Sequence, residues 1–123
     1  MSAPLTLVEP LPGLAPYTEY SLVAVEGAAG LFSLRPAERP DVRLFAVDAA
    51  VYVPDYAPEI AAPCRAVGLE DATGARILVV ATPGARGTTV NLMAPLVINE
   101  ASNRGIQAIL DDQGWPLRAT LGI

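Results

Sequence analysis

The most regular pattern of apolar and polar positions lies between Thr88 and Asn99. Alternation with period two is typical of a half-buried β-strand, so one face of this stretch is expected in the core. Because proline cannot donate to a strand ladder, Pro95 predicts either two strands or one sharply bent strand. The even positions form an unbroken apolar column, and the odd positions are mixed: Val90, Leu92, Ala94, Leu96 and Ile98 against Thr89, Asn91, Met93, Pro95, Val97 and Asn99.

Short runs of strand-forming residues recur along the rest of the chain, between many of its 12 prolines and 10 glycines. The segments 105–110 and 117–121 flank a polar turn at Asp111–Gly114 and predict a terminal hairpin. The best helical segment is Pro58–Val67, in which Glu59–Ala62 could form a turn that Pro63 is expected to interrupt. Other strands are predicted at residues 5–8, 20–25, 31–34, 42–47 and 76–81.

This punctuation of short strands at intervals of roughly eight to twelve residues favours an all-β fold. The fold class predicted is a small antiparallel β-barrel-like domain with at most one short helical turn. A chain of 123 residues suits one such domain, predicted to span residues 1–123.

The charge balance excludes several classes of function. Thirteen acids face eight arginines and no lysine, for a net charge of −5, which is unsuited to direct nucleic-acid binding. A basic protein partner would suit it, although acidity also keeps a small domain soluble.

The longest uncharged run is thirteen residues, whereas a membrane helix needs about 20 apolar ones. Without a basic, apolar leader, a cytoplasmic location is expected.

Catalytic and metal chemistry has few candidates in this sequence. Histidine is absent, which removes Ser–His and Cys–His pairs and most zinc sites. Cys64 stands alone and is expected to be a buried or inert thiol. The segment Gly84–Thr89 lacks the lysine of a phosphate loop and is interpreted as a turn. Acids such as Glu100 and the pair Asp111–Asp112 are interpreted as solvated. No enzyme activity, cofactor or metal is predicted.

Two groups of residues could form a surface for a partner. Tyr56 offers an apolar ring with a hydrogen-bonding tip, beside Pro54 and Asp55. The alternative is a tyrosine packed on the barrel rim, with Asp55 capping a turn. Asn91 and Asn99 could contact a partner, or their amides could satisfy the backbone of the bend at Pro95.

Several motifs, in this order and spacing, resemble the flagellar assembly factor FliW family. That family reads approximately Pro-Asp-Tyr, then Thr-Val-Asn-Leu-x-Ala-Pro-Ile-x-Ile-Asn, then Gly-x-Gln-x-x-Leu. The corresponding segments here are Pro54–Tyr56, Thr89–Asn99 and Gly105–Leu110. Near the N-terminus, Leu11-Pro12-Gly13-Leu14 resembles the family's Leu-Pro-Gly-Phe. One segment departs from the family: Phe32-Ser33-Leu34-Arg35-Pro36 stands where an aromatic is usually followed by Leu-Gln-Ser.

The resemblance implies a protein-binding regulator, monomeric when free. FliW-like proteins bind flagellin in the cytoplasm and, once flagellin is exported, bind and antagonise the translational regulator CsrA. This partner switching couples flagellin level to flagellin translation. The residues expected to shape the partner surface are Pro54, Asp55, Tyr56, Thr89, Asn91, Pro95 and Asn99. The alternatives are a barrel that binds a small molecule at its mouth and one that self-associates through strand edges, neither with a role in flagella.

Overall fold

A computed structural model describes residues 2–121, and these form nine strands with two short helices. The helices are α1 (Ala49–Tyr52) and α2 (Ala61–Ala66), and a 3-10 turn spans Ala72–Gly74. The strands are β1 (Ser2–Leu7), β2 (Glu19–Ala24), β3 (Leu31–Pro36), β4 (Leu44–Asp48), β5 (Ala75–Thr82), β6 (Thr89–Val90), β7 (Leu96–Asn99), β8 (Arg104–Gln107) and β9 (Ala119–Thr120).

Seven of the strands close into a barrel, in the order β4-β3-β2-β1-β8-β7-β5, with β5 pairing back to β4. The pairings around the ring are antiparallel except that β1 runs parallel to β8. Beyond the closure, β5 also pairs with β6, and β6 pairs with β9, so that a small flap of sheet extends from the barrel wall. The predicted all-β barrel is confirmed, with one parallel pair among the antiparallel ones.

The barrel interior is filled by aliphatic side chains from every wall strand but β8, whose Gly105 backbone lies against them. Leu34, Leu78 and Leu96 have no exposed surface, and Leu11 from the loop after β1 packs against the same cluster. Two further clusters lie outside this interior. One contains Val79 and Val90, and the other contains Cys64 with Val97. The predicted burial of Cys64 is confirmed, and burial raises the pKa of its thiol.

The stretch from Thr88 to Asn99 forms two strands, β6 and β7, separated by a bend over residues 91–95. Its even positions are buried as expected. The odd positions are not a uniform second face, because Pro95 and Val97 are fully buried as well. Val97 packs with the cluster under α2, so β7 is covered on both sides. An alternating pattern cannot reveal a cover supplied by a distant segment.

The structure contains more helix than the single turn expected. The Asp48 carboxylate accepts a hydrogen bond from the Ala50 N–H and so caps α1, in a segment where sequence indicated no helix. Pro63 does not end α2, because it lies in the first turn, where an N–H has no helical partner in any case. The first helical hydrogen bond of α2 runs from the Cys64 N–H to the Ile60 carbonyl, 2.9 Å.

The prediction of a terminal hairpin is wrong. β8 lies between β1 and β7, so both of its edges are occupied within the barrel. β9 pairs with β6 instead, through Thr120 opposite Thr89 and Ala119 opposite Val90. Among residues 2–121, no helix has the length and apolar character needed to span a membrane.

Gly105 on β8 marks the tightest approach within the barrel wall. A Cβ at this position would lie 3.2 Å from Leu7 Cδ2 and 3.3 Å from both Ile98 Cγ1 and Leu5 Cδ1. All three are buried core side chains from the neighbouring strands. The absence of a side chain at Gly105 therefore lets β1 and β7 flank β8 without displacing the core.

We expect Gly105→Ala to lower the free energy of unfolding by about 1–3 kcal/mol, because the added methyl overpacks this core. Gly105→Val should cost more. Urea denaturation measures both, with Ser102→Ala, in the exposed turn before β8, as the control. A Gly105→Ala variant as stable as the original chain would show that the three aliphatic side chains can move aside freely.

Candidate protein-binding surface

The residues predicted to shape a partner surface do not lie on one patch. Pro54, Asp55 and Tyr56 follow α1, and Pro54 and Asp55 are exposed while Tyr56 is partly buried. Thr89 and Asn91 lie at β6, on the flap side of β5. Asn99 is the last residue of β7, the strand that follows the bend. Pro54 and Tyr56 line one groove, and Thr89 and Asn91 line another.

Tyr56 is packed rather than presented on its own. Its ring meets Trp115 edge to face, with centroids 4.7 Å apart and an interplanar angle of 79°. Its hydroxyl donates a hydrogen bond to the carbonyl oxygen of Leu92, in the bend between β6 and β7. Burial raises the pKa of Tyr56 to about 12. These contacts correspond to the packed alternative for this side chain, and they fasten the segment after α1 to the bend.

Both asparagines hydrogen-bond to the backbone of their own turn. Asn91 Oδ1 accepts from the N–H groups of Met93 and Ala94, at 3.0 and 3.1 Å. Asn99 Oδ1 accepts from the Ala101 N–H, and its Nδ2 donates to the Val67 carbonyl at 2.8 Å. Asn91 thus organises the bend, and Asn99 joins the end of β7 to the end of α2. In both cases the side-chain oxygen serves the local backbone.

Pro95 is fully buried and offers no surface to a partner in this conformation. Its carbonyl accepts a hydrogen bond from the Ala108 N–H, 2.8 Å, and so joins the bend to the segment after β8. Any effect of Pro95 on a partner would therefore act through the shape of the bend. Thr89 and Asn91, by contrast, are both partly exposed.

A groove of about 500 Å³ opens where β4 leaves the barrel and α1 begins. We name it the Tyr56 groove. Arg76 lies within it, 3.5 Å from Asp48 and 3.6 Å from Glu100, with its guanidinium 4.5 Å from the centre of the Phe32 ring. These contacts hold the Arg76 side chain in place. The groove therefore contains two carboxylates and a single cation. The residues that line the Tyr56 groove include Asp48, Pro54, Tyr56, Arg76, Ile77 and Glu100.

A second groove, of about 550 Å³, lies along the flap. We name it the arginine groove. It includes two of the residues predicted from sequence, Thr89 and Asn91, but its charged groups were not predicted. Arg86 and Arg118 stand 32 positions apart in the chain, and the pairing of β6 with β9 brings their segments together. The lining includes Thr82, Arg86, Thr89, Asn91, Leu117 and Arg118.

A smaller apolar cleft of about 180 Å³ lies on the other side of the flap. It includes Leu31, Phe45, Val47, Tyr52, Ala81 and Leu121. Within the described part of the chain, no group of three His, Cys, Asp or Glu side chains is arranged to hold a metal ion.

A closed barrel of seven strands, with buried aliphatic side chains inside and open grooves outside, defines a class of small all-β protein. Comparison with known proteins identifies the family within that class. The sequence model of the FliW protein family matches residues 2–121, and the chain belongs to this family.

Individual relatives agree with this assignment. The flagellar assembly factor FliW of Caldanaerobacter subterraneus subsp. tengcongensis is 30% identical over 114 residues, which cover 89% of this chain and 76% of the relative. The same factor of Thermotoga petrophila is 29% identical over 120 residues, or 94% of this chain and 80% of that one. A crystal structure of the flagellar assembly factor FliW superposes with a TM-score of 0.85 at 20% identity, covering 95% and 84% of the two chains, which shows the shared fold.

The hydrogen bond from Tyr56 to Leu92 yields a stability prediction. We expect Tyr56→Phe to lower the free energy of unfolding at pH 7 by about 1–2 kcal/mol, because the buried Leu92 carbonyl loses its donor. Tyr52→Phe is the matched control: its hydroxyl donates to the Ala29 carbonyl in an exposed setting, so its loss should cost less. Chemical denaturation measures both variants, and equal costs would contradict the prediction.

Alkaline pH provides an independent check on Tyr56. Its pKa in the folded state, about 12, lies above the ordinary value of 10.0. As the pH rises, the unfolded chain therefore releases this proton at a lower pH than the folded chain. The contribution of Tyr56 to the free energy of unfolding is fully present below pH 10 and falls as the pH rises towards 12. Tyr56→Phe should lose less stability over this interval than the original chain. An identical decline in both proteins would show that Tyr56 ionises freely when folded.

Proposed function

We propose that this protein binds flagellin in the cytoplasm and, when flagellin is exported, binds and antagonises CsrA. Flagellin level would in this way control flagellin translation through competition between two partners. The observation that carries the proposal is the match of the FliW family across residues 2–121. In this function the protein acts through its binding surfaces and catalyses no reaction.

The packing of the barrel supports a protein partner over a small molecule. The interior is occupied by Leu5, Leu34, Leu78 and Leu96, each buried almost completely. Small barrels that hold a ligand keep an internal cavity for it. The Tyr56 groove and the arginine groove lie on the outside, and a protein segment can enter such grooves. This observation favours the regulator over the small-molecule alternative.

The acidity of the chain also supports a role against an RNA-binding regulator. A net charge of −5 on a 123-residue chain favours association with a basic surface. Once bound beside an RNA-binding site, these carboxylates would repel RNA phosphates and weaken RNA binding. Salt would partly screen this repulsion between carboxylates and phosphates, whereas it would not weaken simple physical blocking of the RNA-binding site.

The first test is complex formation between purified components. We expect the free protein to elute as a monomer in size-exclusion chromatography and to form separate complexes with flagellin and with CsrA at tens of micromolar. Flagellin added to the CsrA complex should release CsrA. Absence of both complexes would refute the proposed function, and elution of the free protein as an assembly would favour the self-associating alternative.

The second test concerns the mechanism of antagonism. We expect the loss of CsrA affinity for RNA that this protein causes to shrink as salt is raised from about 50 to 300 mM, because screening weakens repulsion between separated charges. Binding of the protein to CsrA is measured at each salt concentration, so that loss of the complex is not mistaken for screening. An effect on RNA that is constant while the complex persists would rule out the electrostatic mechanism.

A further inference from the structure

The arginine groove lies where the sheet continues past the barrel. The last residue of β5 that pairs with β4 is Ala81, and Thr82 pairs only with Thr89 of β6 among the described strands. Beyond this point, β5, β6 and β9 form a flap, and no other strand of residues 2–121 pairs with β6 or β9. Val80 and Thr82, two positions apart on β5, line the groove together, and the loop 83–87 borders it.

The groove is a cationic site on an acidic protein. Arg86 and Arg118 line it, and its lining residues include no carboxylate. Neither guanidinium forms an ion pair with an acid of residues 2–121, whereas Arg39 pairs with Asp41 and Arg76 with Asp48 and Glu100. Two of the eight arginines of the chain therefore present their charge to the same open space.

The neutral groups of this groove add hydrogen-bond donors. Asn91 Oδ1 is occupied by the N–H groups of the bend, which leaves the two N–H donors of its amide. Thr82 and Thr89 contribute hydroxyl groups. Guanidinium and amide donors grouped in this way suit a ligand rich in acceptors, and carboxylates match the planar fork of arginine. Leu117, with 52% of its surface exposed, adds an apolar contact beside Arg118.

The charge of the groove selects between the two partners of the proposed function, on which this inference rests. A regulator that binds mRNA needs a basic surface to contact phosphates, and the two arginines of the groove would repel that surface. A direct RNA ligand is disfavoured, because two cations on a protein of net charge −5 provide few phosphate contacts. An acidic protein segment is the occupant that fits both the arginines and Leu117.

We propose that the arginine groove docks a carboxylate-bearing, partly apolar segment of flagellin, and that CsrA binds a separate, acidic surface. Binding of flagellin should then depend on Arg86 and Arg118, while binding of CsrA should not. Bound flagellin would displace CsrA because the two partners overlap sterically or repel each other. They would not compete for the same side chains.

The test compares two double variants that lose the same charge. Arg86→Gln with Arg118→Gln alters the groove, and Arg65→Gln with Arg104→Gln removes two exposed arginines elsewhere. Calorimetry measures the affinity of each protein for purified flagellin and for CsrA. We expect the groove variant to bind flagellin about tenfold more weakly or worse, since hydrogen bonds to charged groups are the strong ones. Its affinity for CsrA should remain within about twofold of the control variant.

Three results would overturn this inference. The groove variant could bind flagellin as tightly as the control, or it could lose flagellin and CsrA together while its melting temperature is unchanged, which would indicate one shared surface. The original chain could also bind an RNA oligonucleotide in a manner that the groove variant does not, which would make the groove a phosphate site. Failure of the original chain to bind either protein would instead refute the proposed function, and the inference with it.

Discussion

The structure depends on β5, which pairs with three other strands: β4, β6 and β7. β5 holds β7 through residues 75–78 and β4 through residues 78–81, and this double pairing is what closes the barrel. Its last two residues also carry β6, and through β6 they carry β9. Residues 75–77 of β5 precede its pairing with β4, and Thr82 follows it. The Tyr56 groove lies at its first residues and the arginine groove at its last.

The fold class followed from sequence because the wall strands are short and several of them begin or end beside Pro or Gly. The column Val90–Ile98 identified core residues correctly, since burial of one face depends on local alternation. The partners of β8 and β9 did not follow, because a hairpin is the shortest connection and only the whole sheet shows that β8 already has two neighbours. The helix α1 depends on a single Asp48 cap, too small a signal to stand out between two strands.

The candidate surface was predictable in part. The motif residues Tyr56, Asn91 and Asn99 were identified, but their hydrogen bonds serve the bend and the helix ends. Motif residues can thus identify a fold by maintaining its unusual turns. Arg86 and Arg118 belong to no motif, and their proximity arises from the pairing of β6 with β9. Sequence alone places charged residues along the chain, whereas long-range pairing determines which of them share a groove.

The parallel pairing of β1 with β8 has a consequence for how the chain folds during synthesis. β1 can pair with β2 as soon as the first hairpin leaves the ribosome, but its other edge waits for Arg104 and Gly105. Contacts between residues far apart in a chain carry a loop-closure entropy and slow the folding of small domains. The barrel can therefore close only after β8 has been synthesised, and until then β1 presents a strand edge on which other chains could pair.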